Sequence, residues 1–365
     1  MAETVRPCQR EDAPALAAMF TRTFRRGKQP NSEALAKYFE NVIFASAAES
    51  AEPRSRVFID AGGEVRGFIG VWPRRLQMHG RTIEAAVAGS LMVDRPEAHP
   101  TAGARLLRSY LAGPQELSFS ETANDISQRM WKKVGGECLA ATSLDWLRVL
   151  RPAGLAVAAA TYAFRPASLL RPLASGFDRL IETRGRNPLS LSGAPAGVRV
   201  EDVTSEELAG IIPELSRSFA LYPDWNSPSL TFLLSHAEAK ERYGETHRQI
   251  VYSHAGRPIG CYIFFARRGD IARVLQVLAA PDHAGVTLDS LFHQAAALGC
   301  VGVRGRVDAG VLEALIARRC LLFHGSAMVV HARDKALLEE VRNAPALLTG
   351  LAGESWTRFV GGEFA

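Results

Sequence analysis

VFIDAGGEVRGFIGV (57–71) returns without a gap, 193 residues later, as IVYSHAGRPIGCYIF (250–264). Each stretch is an apolar strand, a turn at Ala-Gly, and a second strand carrying Gly67 or Gly260. Each reads as a β-hairpin. A recurrence at fixed offset changes how the rest of a chain is read. The same shift lays Val5-Arg6 and the acidic helix start at Glu11-Asp12 on Val198-Arg199 and Glu206-Glu207. Further on the shift is 185, and AVAGSLMVDRP (86–96) falls on RVLQVLAAP (273–281), an apolar strand closed by proline. Helix-like stretches follow at Gly103–Ala112 and Thr287–Gly299, then strand-like ones at Glu116–Glu121 and Val301–Arg306. The first copy therefore carries eight extra residues, which fall in its longer hairpin around Arg74–Ile83.

A length of 365 residues favours two domains. Residues 151–196 lie between the copies. They contain an apolar run, Ala153–Phe164, cut off by Arg165 and Pro166 and too short to span a bilayer. A buried helix is expected there, followed by alternating apolar and basic residues from Leu169 to Ile181 and a linker, GRNPLSLSGAPAG, at 185–197. A Gly-rich tail with Trp356, Phe359 and Phe364 is expected to pack on another surface.

The 43 basic and 38 acidic residues leave a net charge of +5. Clusters such as Arg22, Arg25, Arg26 and Lys28, or Arg267 and Arg268, read as solvated faces, so no nucleic-acid partner is expected. Five cysteines, an odd number without CxxC, suit a reducing compartment. The opening MAETVRPCQREDAP has no apolar core of a signal peptide. A cytoplasmic protein without a membrane partner is expected. The dispersed histidines show no metal-ligand spacing, so no metal is assigned.

Each copy runs strand, helix, helix, hairpin, strand, helix, strand, helix, strand. With VRPCQREDAPAL, SLMVDRPEAHPTAGARLLRSYL and TANDISQRMWKKVGG, this order resembles the GNAT N-acyltransferase superfamily in its tandem form. The resemblance is stronger over 5–150 than over 197–335. It implies an α/β (α+β) chain of tandem GNAT-like domains, each a mixed, mostly antiparallel sheet flanked by helices. The expected units are 1–150, holding coenzyme A, 151–196, a helical segment and linker, and 197–365, a degenerate second copy with the aromatic tail.

The implied activity is acyl transfer from acetyl-CoA to the primary amine of a small molecule or other amine-bearing acceptor. Two alternatives stay open: a catalytically silent binding or regulatory protein, and a Fem-like aminoacyl transferase. The strand ending Leu91-Met92-Val93 would meet the pantetheine and the acyl carbonyl. The loop His99-Pro-Thr101-Ala102-Gly103-Ala104 stands at the pyrophosphate motif, with His99 where Arg or Gln is usual and Ala102 where Gly is usual. Small residues there let an anion approach free N–H groups at a helix start, and Arg105 follows on that helix. The corresponding loop of the second copy carries Asp282, which would repel phosphate. Glu84 and Glu121 are the candidate bases. Asn124 would bond the pantetheine or cap the helix that follows. Seven residues on, where the family often has a tyrosine acid, stands Trp131, whose indole is a donor only; it would shape the acyl pocket.

Overall fold

The computed structural model describes residues 2–25, 30–44, 54–183, 191, 193 and 195–364. Arg26, Lys28 and most of the linker at 185–194 lie outside the described residues. The first half runs β1 (Thr4–Pro7), α1 (Ala13–Phe24), α2 (Ser32–Phe44), β2 (Arg56–Ile59), β3 (Val65–Met78), β4 (Arg81–Val93) and α3 (Ala102–Leu111). It continues with β5 (Leu117–Ala123), α4 (Asp125–Lys133), β6 (Glu137–Cys138) and β7 (Leu144–Val149). Helices α5 (Pro152–Ala163) and α6 (Arg171–Thr183) precede the second half. That half has β8 (Val198–Asp202), α7 (Ser205–Ser216), β9 (Leu221–Pro223), α8 (Ser227–Glu238), β10 (Glu245–Ser253), β11 (Pro258–Ala266) and β12 (Ile271–Ala279). It ends with α9 (Ala284–Ala297), β13 (Gly302–Arg306), α10 (Leu312–Ala317), β14 (Leu321–His324), β15 (Ala327–Ala332) and α11 (Lys335–Asn343).

The repeat is visible in backbone detail. The β2–β3 register slips between Phe58 and Ile59, and the β10–β11 register slips between Val251 and Tyr252, 193 residues on. A bulge stands in β4 at Ser90, and its counterpart stands in β12 at Leu275, 185 residues on. The first copy's longer hairpin turns at His79 and Gly80, both at positive φ (51° and 78°). Its added length pairs Leu76–Met78 with β9 of the second half.

The strands form two mixed sheets, and they trade a strand. One has the order β1-β2-β3-β4-β5-β15-β6, with β9 on β3. The other has the order β14-β7-β13-β12-β11-β10-β8. Thus β7, inside the expected unit 1–150, pairs with β13 and β14, while β15, from the second half, sits between β5 and β6. A division near 150 and 196 does not separate the two sheets.

The largest core lies between the sheets. It joins Leu16, Phe20 and Phe39 of the first half to Leu208, Ile212 and Leu233 of the second, and to Leu347, Leu351 and Trp356 of the tail. Full burial of such side chains contributes about 1.5–3 kcal/mol each. The outer faces are covered by α3 and α4 on the first sheet and by α9 and α10 on the second. The buried helix expected at Ala153–Phe164 is corrected. Helix α5 forms, but none of its described side chains is buried, and Phe164 is 65% exposed. The reason is its position outside both sheets, where it packs mainly on α6 and the 165–170 turn. Helix α6 likewise leaves Leu173 and Phe177 exposed.

Candidate functional site

Strands β4 and β5 run parallel, but they pair only over Ala85–Val87 and Leu117–Phe119. Beyond that, the bulge turns β4 away. Phe68 faces Met92 and Gly70 faces Gly89, so Ser90 and Leu91 stand opposite a single residue, with Ser90 at φ 53°. The splay leaves a cleft of about 320 Å³. Its walls are Ala88–Leu91 of β4, Ser120, Thr122 and Ala123 of β5, Asn124 and Ser127 at the start of α4, and Phe20, Phe24 and Arg25 of α1. Tyr243 and the tail at Phe359–Gly361 close it on the side of the second half.

The corresponding splay of β12 and β13 is filled by the chain's own tail. The Leu351 N–H donates to Gln276 Oε1 (3.1 Å), and Thr349 Oγ1 donates to Asp308. A Cβ at Gly350, which has φ 64°, would lie 2.4 Å from the Leu275 carbonyl oxygen. The tail then crosses to the first splay. There the Glu354 carboxylate accepts from the N–H groups of Glu121 (2.9 Å) and Thr122 (2.8 Å) and from the hydroxyls of Ser120 (3.1 Å) and Thr122 (2.7 Å). It supplies the acceptors that β4 withdrew. A Cβ at Gly89 would meet Glu354 Cγ at 3.1 Å, so this carboxylate stands beside the cleft wall.

Glu121 lies in the reciprocal position, 2% exposed. Its carboxylate accepts from the N–H groups of Gly350 (3.0 Å) and Ser355 (3.2 Å). Burial, and then the Glu354 charge, push it up to about 7. Burial also raises Glu354, against the pull of its β5 donors. The two carboxyl groups titrate as a pair. Below them, the Lys240 ammonium donates to the carbonyls of Thr357 (2.6 Å) and Val360 (2.5 Å), and burial pushes it down to about 7 although Glu121 opposes this.

The cleft brings together some of the residues singled out in the sequence and leaves others apart. Asn124 lines it and caps α4, its Oδ1 accepting from the Ser127 N–H at 2.9 Å. Met92 is buried in the shared core. Val93 and Gly103 adjoin, since a Cβ at 103 would stand 3.7 Å from Val93 and 3.4 Å from Met130 of α4. Thr101 precedes α3, and Ala102 and Gly103 are buried in its first turn with Ala104 half-buried behind them. His99 and Arg105 turn the other way. Arg105 donates to Glu3 Oε2 (3.0 Å) and to the Glu3 carbonyl (2.8 Å) and lies over Phe58; His99 Nδ1 is 3.5 Å from Glu3. The Arg105 guanidinium is paired with Glu3, just before β1, and is not left for a phosphate, while His99 Nδ1 makes no hydrogen bond among the described residues. Glu84 sits at the far end of β4 from the bulge, its side chain 63% exposed and 3.6 Å from Arg75, outside the cleft. Trp131 is 1% exposed and packs edge-on to Tyr110 at 6.0 Å behind the first sheet, away from the cleft walls. Glu354 was not among the residues singled out; its only signal was its place in the Gly-rich aromatic tail.

Among the described residues, no group of three or more His, Cys, Asp and Glu side chains is placed to hold a metal, and no helix is long and apolar enough to cross a membrane. No protein-family model matches the sequence. No curated protein matches it either. Solved structures do. A conserved protein of Enterococcus faecalis V583, a probable N-acyltransferase, is 11% identical with a TM-score of 0.58, over 91% of this chain and 73% of that one. A GCN5-related N-acetyltransferase from Anabaena variabilis is 12% identical with a TM-score of 0.60, over 91% and 73%. A putative acetyltransferase from Pyrococcus horikoshii is 11% identical with a TM-score of 0.52, over 97% and 96%. Two mixed sheets, each splayed at a bulged fourth strand and flanked by helices, together with these likenesses, show that the chain has the GNAT fold of the GCN5-related N-acetyltransferases.

Proposed function

We propose that the chain is an acyl-CoA-dependent N-acyltransferase, with acetyl-CoA as donor and the primary amine of a small molecule or other amine-bearing acceptor as nucleophile. One observation carries the reading: the first splay is an open cleft, whereas the second is filled by Thr349–Leu351. Beyond Val87, β4 has no strand partner on the β5 side, so its backbone is free for the pantetheine amides and the thioester carbonyl. The small residues at 102–104 suit close approach of a pyrophosphate to the backbone N–H groups at the start of α3. Because Glu3 holds Arg105, backbone N–H groups rather than that guanidinium meet the pyrophosphate there.

The amine must lose a proton as the new amide forms. Glu121 and Glu354, buried behind the cleft wall rather than lining it, are the acceptors for it through water. A carboxyl pair with one member pushed up to about 7 suits a base near neutrality. Trp131 gives no acid. The departing thiol has a pKa near that of free cysteine, about 8.5, so its thiolate leaves unaided or takes a proton from solvent. All five cysteines are free thiols, which supports a reducing, cytoplasmic setting. A second reading, a silent binding protein, is favoured by the tail itself, since Glu354 already occupies the β5 donors. Calorimetric titration with acetyl-CoA and free coenzyme A, followed by thiol release over a panel of amines, decides between them. Binding without turnover selects the silent protein, and absence of binding sinks both uses of the cleft.

A further inference from the structure

Four buried donor atoms on three side chains have no acceptor. Arg74 of β3 donates Nη1 to the Pro73 carbonyl at 3.0 Å, but its Nε and Nη2 are enclosed and unpartnered. The Nε1–H groups of Trp225 and Trp356 are also enclosed and unpartnered. The Arg74 guanidinium meets the Trp356 ring, and the strand register brings Trp225 to the same face. In the β3–β9 ladder Leu76 faces Pro223, and the Asp224 N–H donates to the Arg75 carbonyl at 2.8 Å, so the register carries on to set Trp225 opposite Arg74. Directly opposed residues share a face. The Arg74 guanidinium carbon lies 5.6 Å from the centre of the Trp356 ring. Trp72 (6.0 Å), Phe232 (5.8 Å) and His236 (5.8 Å) surround Trp356 as aromatic walls.

An enclosed guanidinium edge and two enclosed indole N–H groups are costly to leave unsatisfied, at about 1–3 kcal/mol for each neutral donor and more for the charged one. No acid among the described residues offsets Arg74; burial alone acts on it and pushes it down to about 10. His236 is pushed down to about 4 by burial and by Arg358, so it stands neutral. The Glu354 carboxylate is turned to β5, and Asp224 is exposed, accepting from Gln77. The free edge of Arg74 has a shape that this chain shows occupied elsewhere. In Arg318 the same two atoms, Nε and Nη2, grip both oxygens of Asp289 at 2.7 Å each. That parallel pair is the bidentate geometry of a carboxylate.

We infer that Arg74, Trp225 and Trp356 form a carboxylate-binding subsite for the acceptor, which makes the acceptor an amine that also carries a carboxylate, of the amino-acid kind. The inference rests on the acyltransferase reading for the word acceptor, and on the orphaned donors for the carboxylate. Trp72 and Glu354 stand between the subsite and the cleft wall at Gly89. Gly89 lines the cleft, and a Cβ there would meet Trp72 at 2.9 Å and Glu354 at 3.1 Å. The aromatic walls suit an apolar body between the carboxylate and the amine.

The test uses the full chain without coenzyme and a matched pair of probes, 3-phenylpropanoate and its neutral amide 3-phenylpropanamide. Binding is read by indole fluorescence and by calorimetry. The acid is expected to bind at least about tenfold more tightly than the amide. Arg74→Met should abolish that preference while keeping or raising the melting temperature, since it removes an uncompensated enclosed charge. Trp356→Phe, which keeps the ring and loses the N–H, should weaken the acid about three- to tenfold and leave the amide unchanged. Trp225→Phe, in a half-buried position, gives the same reading should Trp356→Phe fail to fold. Equal binding of the two probes, retention of the preference in Arg74→Met, or no binding of the acid at roughly 10 mM would each overturn the subsite. Inorganic phosphate displacing the acid at equal concentration would overturn the carboxylate class. Titration of the same samples with acetyl-CoA separates the two claims: coenzyme binding without carboxylate preference removes the subsite alone, and the reverse removes the acyltransferase reading alone.

Discussion

Replacing Glu354 by alanine removes the acceptor of two β5 N–H groups and two hydroxyls in one step. The hydroxyls can turn to other acceptors. The N–H groups of Glu121 and Thr122 cannot, and each orphaned donor costs about 1–3 kcal/mol. Two effects work the other way. Water can enter from the adjoining cleft of about 320 Å³. Loss of a like charge also relieves Glu121, by about 1 kcal/mol for each pH unit that its titration falls. The net loss should be about 2–4 kcal/mol. In Glu354→Gln, one amide oxygen still accepts at Thr122, while the amide nitrogen faces the Glu121 N–H donor to donor. That variant should lose about half as much. Urea unfolding, followed by tryptophan fluorescence at fixed pH, gives both values, with the slope against denaturant reporting whether the tail has come away. A loss below about 1 kcal/mol in Glu354→Ala, or glutamine as damaging as alanine, would refute the account of this residue as the acceptor that replaces β4.

The raised Glu121 gives a second expectation. Its neutral form suits the fold, so its contribution is complete below the ordinary carboxylate value of 4.5 and is lost as pH rises through about 7. Wild type should therefore lose stability relative to Glu121→Gln between pH 5 and pH 8, and parallel urea profiles would count against it; for turnover, the same pair as base predicts a rate that falls as pH drops below about 7. Gly103→Asp adds a Cβ that makes only ordinary contacts, the nearest at 3.4 Å, and its melting temperature is read first because residue 103 is buried. The variant should weaken acetyl-CoA binding at least about tenfold while Gly285→Asp does not, and the opposite pattern, by calorimetry, would move the donor to the second half. Trp131→Phe should keep turnover within about threefold, since the indole is packed behind the sheet, and a hundredfold fall with unchanged stability would return it to the chemistry.

The hairpins, the offsets of 193 and 185 residues and the extra length near Arg74–Ile83 were legible in the sequence because they are local. Alternation and turn residues are set by neighbours along the chain, and both copies repeat them. Much of the site was not legible. The sequence presents Arg105 as a free cation beside the motif that begins at His99. Only the fold lays β1 beside it and brings Glu3 within reach. Glu121 could be named as a carboxylate at a strand end, but its partner lies 233 residues further on. Arg74 read as one more charge in a hairpin until β9 and the tail enclosed it.

By itself the sequence determined the two copies and the order of elements within each, since period, turn chemistry and propensity act over a few residues. The tertiary structure alone decided that β7 and β15 change sheets and that the tail runs through both splays. An apolar alternating strand fits the open edge of either sheet equally well. The choice between edges therefore depends on the whole core that forms between the halves.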